Sequence, residues 1–129
     1  MKTYYGRRQG SYPLVTVHPE NGDVRDHRTI SPELPIEDSL RLKFISPAGF
    51  EWGCDCDGAE QLALALLFDV TGDRKRSLGF YKTFKWLFVV QCHDEWLLSE
   101  QEVINWLECK EGSQTALKNA ALSLKGGAL

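Results

Sequence analysis

Apolar positions crowd most densely between Gly49 and Thr71, and their spacing there is helical. Leu62, Ala63, Leu66, Leu67 and Val70 fall on one face of a 3.6-residue repeat, while Leu64 and Phe68 fall on another. A helix that is apolar on most sides is a buried one, so Gly58 to Thr71 reads as the central helix of the core. Asp57, three residues before Glu60, forms a capping-box-like pair able to take orphan first-turn amides. Gly72 suits the left-handed residue that ends a helix. Asp73 is then placed to cap a second helix reaching about Thr83, with Leu78 and Tyr81 turned inward.

Period-two patterns flank that centre. Residues 3–9 and 12–18 read as two short strands rich in aromatic and β-branched side chains, joined by turn chemistry at Gln9-Gly10-Ser11. Asn21-Gly22-Asp23 signals a second turn. Residues 24–39, with prolines at 32 and 35, read as an ordered surface loop, because each proline removes a donor and biases its predecessor away from helix. Leu40 to Ile45 alternates apolar and charged positions as a half-buried strand would. Phe84 to Cys92 is apolar on both alternating faces, the mark of a central strand covered on both sides. Trp96-Leu97-Leu98 is a short extended piece after a His93-Asp94-Glu95 turn. Ser99 and Glu102 then form a capping box, with Leu98 and Val103 as a hydrophobic staple, opening a helix whose inner face is Val103, Trp106 and Leu107. Residues 113–125 carry a weaker amphipathic pattern, and the last four residues read as a frayed tail.

Together these elements predict an α+β fold: a small antiparallel sheet of four to five strands packed against two or three helices. Residues 1–112 form the domain and 113–129 an extension. At 129 residues such a chain buries enough surface to fold without a metal or disulfide.

Charge and cysteines narrow the function classes. The formal net charge is −3, which argues against gripping nucleic acid by charge alone; Arg7-Arg8 and Arg74-Lys75-Arg76 are local basic clusters. No apolar leader follows Met1, and the longest apolar run, Leu62 to Phe68, is too short to span a bilayer. The expected compartment is the cytoplasm, where Cys54, Cys56, Cys92 and Cys109 would be free thiols.

The run Gly49-Phe50-Glu51-Trp52-Gly53, followed by Gln61-Leu62-Ala63-Leu64-Ala65-Leu66-Leu67, resembles the hallmark GFEWGYGGSGPAQLALALL of a family of small prokaryotic and phage proteins catalogued only as a domain of unknown function. Gly6-Arg7-Arg8, Phe84-Lys85 and the Trp96-x-Leu98-Ser99 to Trp106-Leu107 pattern are similar to that family as well. The resemblance covers roughly residues 4–108. It implies a small α+β domain and a frequent home on phages or mobile elements, and it implies no activity. This chain departs from the pattern after Gly53, where Cys54-Asp55-Cys56-Asp57-Gly58-Ala59-Glu60 replaces a glycine-rich turn. The carboxylates put negative charge at a helix start that would otherwise attract anions.

Four constellations carry candidate chemistry. Cys54-x-Cys56 with Cys92-His93 or Cys109 can be drawn as a zinc site, although zinc sites usually use longer C-x-x-C-type spacings; the alternative is unpaired cysteines, buried at 92 and 109 and exposed at 54 and 56. A Cys-His nucleophile needs a base within hydrogen-bond reach. Cys92 and His93, neighbours on the expected strand, would point to opposite faces, leaving only His18 or His27 to approach Cys54 or Cys56. Glu51 beside Trp52 reads either as a buried acid or as an acceptor that fixes the turn before the helix. Tyr4, Tyr5, Arg7, Arg8 and Tyr12 can be read as a base-stacking, phosphate-holding strand, or as a strand with one face buried. The sites singled out are therefore Glu51, Trp52, Cys54, Asp55, Cys56 and Asp57, with Arg7 and Arg8; no catalytic set, cofactor or metal is assigned. The expected function is a non-enzymatic interaction module with a protein partner, carried by a phage or mobile element, with an anti-CRISPR-like inhibitor as its concrete version. A nucleic-acid-associated protein and a small cysteine metalloprotein are the alternatives.

Overall fold

A computed structural model describes residues 1–19 and 31–125, with side chains of the last helix described as far as residue 112. The Asn21-Gly22-Asp23 turn, the first part of the expected surface loop, His27 and the frayed tail lie outside the described residues. Strands β1 (Thr3–Gln9) and β2 (Tyr12–His18) form a hairpin in which Gln9 faces Tyr12. Gly10 takes φ +64° while Ser11 stays negative, the pattern of a type II′ turn, which matches the twist of paired strands.

Strand β3 (Trp96–Ser99) pairs antiparallel with the other side of β1, giving the order β2-β1-β3. The sheet among the described residues therefore has three strands, where four to five are expected from sequence. Two expected strands are replaced by helix. Glu37–Leu42 is a short helix, α1, so the alternation read at Leu40 to Ile45 is the surface of a helix end and its exit. Helix α2 spans Asp57–Thr71 and α3 spans Arg74–Phe84. The chain then continues as a π-helical turn, Lys85–Val89, closed by Val90 N–H donating to the Lys85 carbonyl five residues back. The apolar run from Phe84 is thus not a sheet strand. Lys85 and Val89 are buried, whereas Trp86 and Leu87 between them are exposed; strict alternation would have put Leu87 on the same face as Lys85 and Val89.

The sheet edges follow from the register. Val17 N–H donates to the Pro32 carbonyl and Leu34 N–H to the Val15 carbonyl, so odd-numbered residues of β2 turn their polar groups outward. Pro13 shares that parity and removes no ladder bond from β1.

Helix α2 is the axis of the core. Ala59 and Gln61 through Leu67 are buried, as the apolar pattern requires. Its N-cap is Cys56 and not Asp57, which is the first helical residue, and no side chain bonds to the orphan amides. Gly72 ends the helix in the left-handed region, and Asp73 caps α3 by accepting from Arg76 N–H. The capping box at Ser99 and Glu102 closes reciprocally at 3.0 and 3.1 Å, and Leu98 and Val103 are both buried. Helix α4 runs unbroken from Glu100 to Lys125.

Gln61 is a buried polar residue with every group used. Its Oε1 accepts from Ile45 N–H at 3.0 Å and Ser46 N–H at 2.9 Å, and its Nε2 donates to Ser39 Oγ at 2.9 Å and the Lys43 carbonyl at 3.3 Å. One side chain thereby clamps α1 and the following segment onto α2. Replacing it with Leu strands two backbone donors, each costing about 1–3 kcal/mol when buried without a partner. Q61L is expected to lower the unfolding midpoint by several degrees in calorimetry; an unchanged midpoint contradicts the clamp.

An aromatic and ionic cluster around the turn before helix α2

The residues singled out from sequence lie on three elements, and the fold brings most of them together. Trp96 of β3 faces Gly6 of β1 across the ladder. A Cβ on Gly6 would sit 2.1 Å from the indole, so only glycine leaves room for the ring. Trp52 meets Trp96 edge-to-face at 5.6 Å, Trp96 meets Phe88 at 5.5 Å, and Phe88 stacks on Phe84 at 5.5 Å. Phe84 meets Trp106 at 5.1 Å, and Trp106 meets Phe80 at 6.3 Å. The turn before α2, the sheet, the π-helical turn and α4 are thus joined by one chain of rings. Trp52 Nε1 and Trp96 Nε1 are buried without a hydrogen-bond partner among the described residues, the cost of placing two indoles inside.

Arg8 closes the outer end of that chain. Its guanidinium lies 4.8 Å from the Trp52 ring centroid, 2.7 Å from Glu51 Oε1 and 3.5 Å from Asp94 Oδ1. The Glu51 hydrogen bond raises its pKa further above the ordinary arginine range. Glu51 Oε1 also accepts from Trp52 N–H at 3.0 Å. Of the two sequence readings of Glu51, the turn-fixing one is what the geometry shows. Gly53, at φ +72°, donates its N–H to the Val89 carbonyl at 3.0 Å, and a side chain there would strike the Cys92 carbonyl. Gly58 lies against Glu51, where a Cβ would come within 2.7 Å of the Glu51 Cβ.

Beyond Gly53, Cys54 and Cys56 are joined by a disulfide, contrary to the expectation of free thiols. Between them Asp55 reaches Lys85 Nζ at 2.6 Å, and Glu60 lies 3.6 Å from the same nitrogen. Burial alone would lower the pKa of Lys85, but the hydrogen bond and charge of Asp55, with Glu60 behind it, outweigh that and hold it above the usual range. Lys85 Nζ also sits 5.2 Å from the Trp86 ring centroid. Lys85 is not among the sequence candidates, because a strand pattern gives it no partner; its signal is a lysine inside an apolar run, which demands a carboxylate partner.

The remaining sequence candidates separate from this cluster. Tyr4 and Tyr5 are buried, with hydroxyls donated to Asp69 at 2.6 Å and to Glu95; neither ring is open to stack a base, and burial followed by Asp69 raises the Tyr4 pKa. Arg7 is half-buried opposite Leu14. Asp57 is exposed at the helix start. Cys92 is half-buried and lies just past the π-helical turn, so the strand argument for its orientation against His93 does not apply; its thiol donates to the Phe88 carbonyl, and burial pushes its pKa up to about 12, far from a nucleophilic thiolate. Cys109 is exposed, not buried. Among the described residues no group of three or more His, Cys, Asp and Glu side chains is placed to hold a metal, and no helix is long and apolar enough to cross a membrane.

His18 is bonded on both ring nitrogens, to Thr16 Oγ1 at 2.6 Å and Ser31 Oγ at 2.9 Å. Burial, then the charge of Arg7, lowers its pKa below 6.5. The unfolded chain therefore takes up a proton first as the pH falls below about 6.5, and stability declines from there towards the folded pKa. In a side-chain NMR titration His18 is expected to titrate below 6.5; a midpoint at or above that value contradicts the buried neutral ring.

Among curated proteins and among solved structures nothing matches the chain. A family of unknown function, DUF6166, matches residues 15–109, from within β2 to within α4. That span is well over half of the chain and includes the turn at Gly49–Gly53, Gln61 and the π-helical turn, so the protein belongs to the DUF6166 family.

Proposed function

We propose that the protein is a small non-enzymatic interaction module that binds a protein partner through the ledge of the π-helical turn. One observation carries this reading. Trp86 and Leu87 are consecutive, large and apolar, yet 51% and 54% exposed. They stand on a turn fixed from below by buried Lys85 and Val89 and by the Gly53 N–H bond. A rigid, exposed tryptophan is the side chain most often found at the energetic centre of protein interfaces, and π-helical turns recur at functional sites. The polar groups nearby are occupied: Arg8 by Glu51 and Trp52, Lys85 by Asp55. That favours recognition over catalysis. Burial of Tyr4 and Tyr5 weighs against the nucleic-acid alternative. In its most specific form, supported by the family resemblance to phage and mobile-element proteins, the module is a counter-defence inhibitor that blocks a host nuclease complex.

The test is reconstituted binding. A partner captured from host extract is purified and titrated with wild-type protein, with W86A/L87S and with F44S, which alters another exposed apolar residue on the α1–α2 connection (Phe44, 72% exposed). Loss of at least about tenfold in affinity is expected for W86A/L87S, with F44S near wild type. Equal affinity for all three contradicts the ledge. For the specific form, expression in cells with an active nuclease defence is expected to restore phage plating; unchanged plating sinks it.

A further inference from the structure

We propose that the Cys54–Cys56 disulfide is a reversible redox site whose opening by a dithiol reductant releases Asp55 from Lys85 and repositions Trp86. Three observations on this chain point the same way. The bond spans a single intervening residue. The entropy a disulfide removes from the unfolded chain grows with the loop it closes, so this one does little as a staple for a domain with a continuous core. Both cysteines are partly exposed, within reach of a soluble dithiol. The enclosed residue is Asp55, the closest counter-charge of a lysine whose side chain is only 9% exposed.

The chemistry balances with a dithiol as the reductant. One thiolate of the reductant attacks Cys54 Sγ, the Cys54–Cys56 bond breaks, and its electron pair leaves on Cys56 Sγ, which takes up a proton. The second reductant thiolate then attacks the mixed disulfide and releases Cys54, which is protonated in turn. The protein gains two electrons and two protons, and the reductant becomes a disulfide.

Opening the ring frees the backbone on both sides of Asp55. Without the pinned loop, Asp55 is no longer held at 2.6 Å from Lys85 Nζ, and the ammonium is left with Glu60 at 3.6 Å. A nearly buried ammonium with a weakened partner moves towards water. Lys85 Nζ lies over the Trp86 ring at 5.2 Å, so the ledge carries two settings, one for each redox state. The purpose of the switch rests on the ledge being a binding surface. Its test reads Trp86 directly and needs no partner, so the two ideas fail separately.

The full-length oxidised protein is equilibrated in a series of reduced and oxidised dithiothreitol mixtures without denaturant. Thiol alkylation and peptide mass report the state of Cys54 and Cys56, and the assigned indole N–H resonances report each tryptophan. Two alkylated thiols are expected at Cys54 and Cys56, with the Trp86 resonance displaced in step, the Trp106 resonance unmoved and circular dichroism unchanged. C54S/C56S is expected to show the reduced Trp86 position and no response to the mixtures. A bond that opens only in denaturant overturns the proposal. So does a bond that opens while Trp86 stays where it was, or a double serine variant that keeps the oxidised position.

Discussion

The placement of the Trp96 indole on the bare backbone of Gly6 is the constraint on which the rest of the structure depends. It sets how deep β3 sits beside β1, because any side chain at position 6 would expel the ring. Once seated, the indole offers its faces and edges to Trp52 and Phe88. Those two contacts tie the turn before α2 and the π-helical turn to the sheet. Geometry of this kind is worth more than the area it buries, since edge-to-face rings add a directional term to the hydrophobic one.

The residues from Gly49 to Gln61 have architectural reasons that need no ligand. Gly53 adopts a backbone conformation reserved for glycine and approaches the π-helical turn; Gly58 makes room for Glu51; Glu51 and Trp52 hold Arg8; Gln61 ties down four groups on α1 and its exit. Specific sequence here marks a joint between elements. The two cysteines and the aspartate between them lie at the surface end of that joint.

Much of the fold was legible. The hairpin, the all-apolar α2, the caps at Asp73 and Ser99 and the short strand at Trp96 follow from local rules that tertiary contacts did not override. The two strand assignments that failed share a cause. Leu40 to Ile45 alternates over a window too short to separate a period of two from a helical surface, and the apolar run from Phe84 to Cys92 has no periodicity that separates a buried strand from a helix segment. After Phe84 the helix also widens to a π turn, closed by a bond five residues back, a geometry for which the sequence carries no periodic signal. The site was legible as two fragments, a basic strand and an acidic-aromatic turn. Only the hairpin register and the crossing of β3 bring Arg8 onto Glu51 and Trp52, and no local pattern encodes that meeting. The pairing of Cys54 with Cys56 has no local signal, because a C-x-C spacing is as compatible with two free thiols as with a bond.

Pro13 has a consequence for colloidal behaviour. It stands in β2 where backbone groups turn away from the sheet, just past the last bond to the Pro32–Leu34 segment. Open strand edges recruit further strands from neighbouring molecules. At this position the edge presents a carbonyl and a pyrrolidine ring in place of an amide, so an incoming strand finds an acceptor and no donor. A three-stranded sheet thereby keeps that margin from templating growth, at no cost to its own ladder.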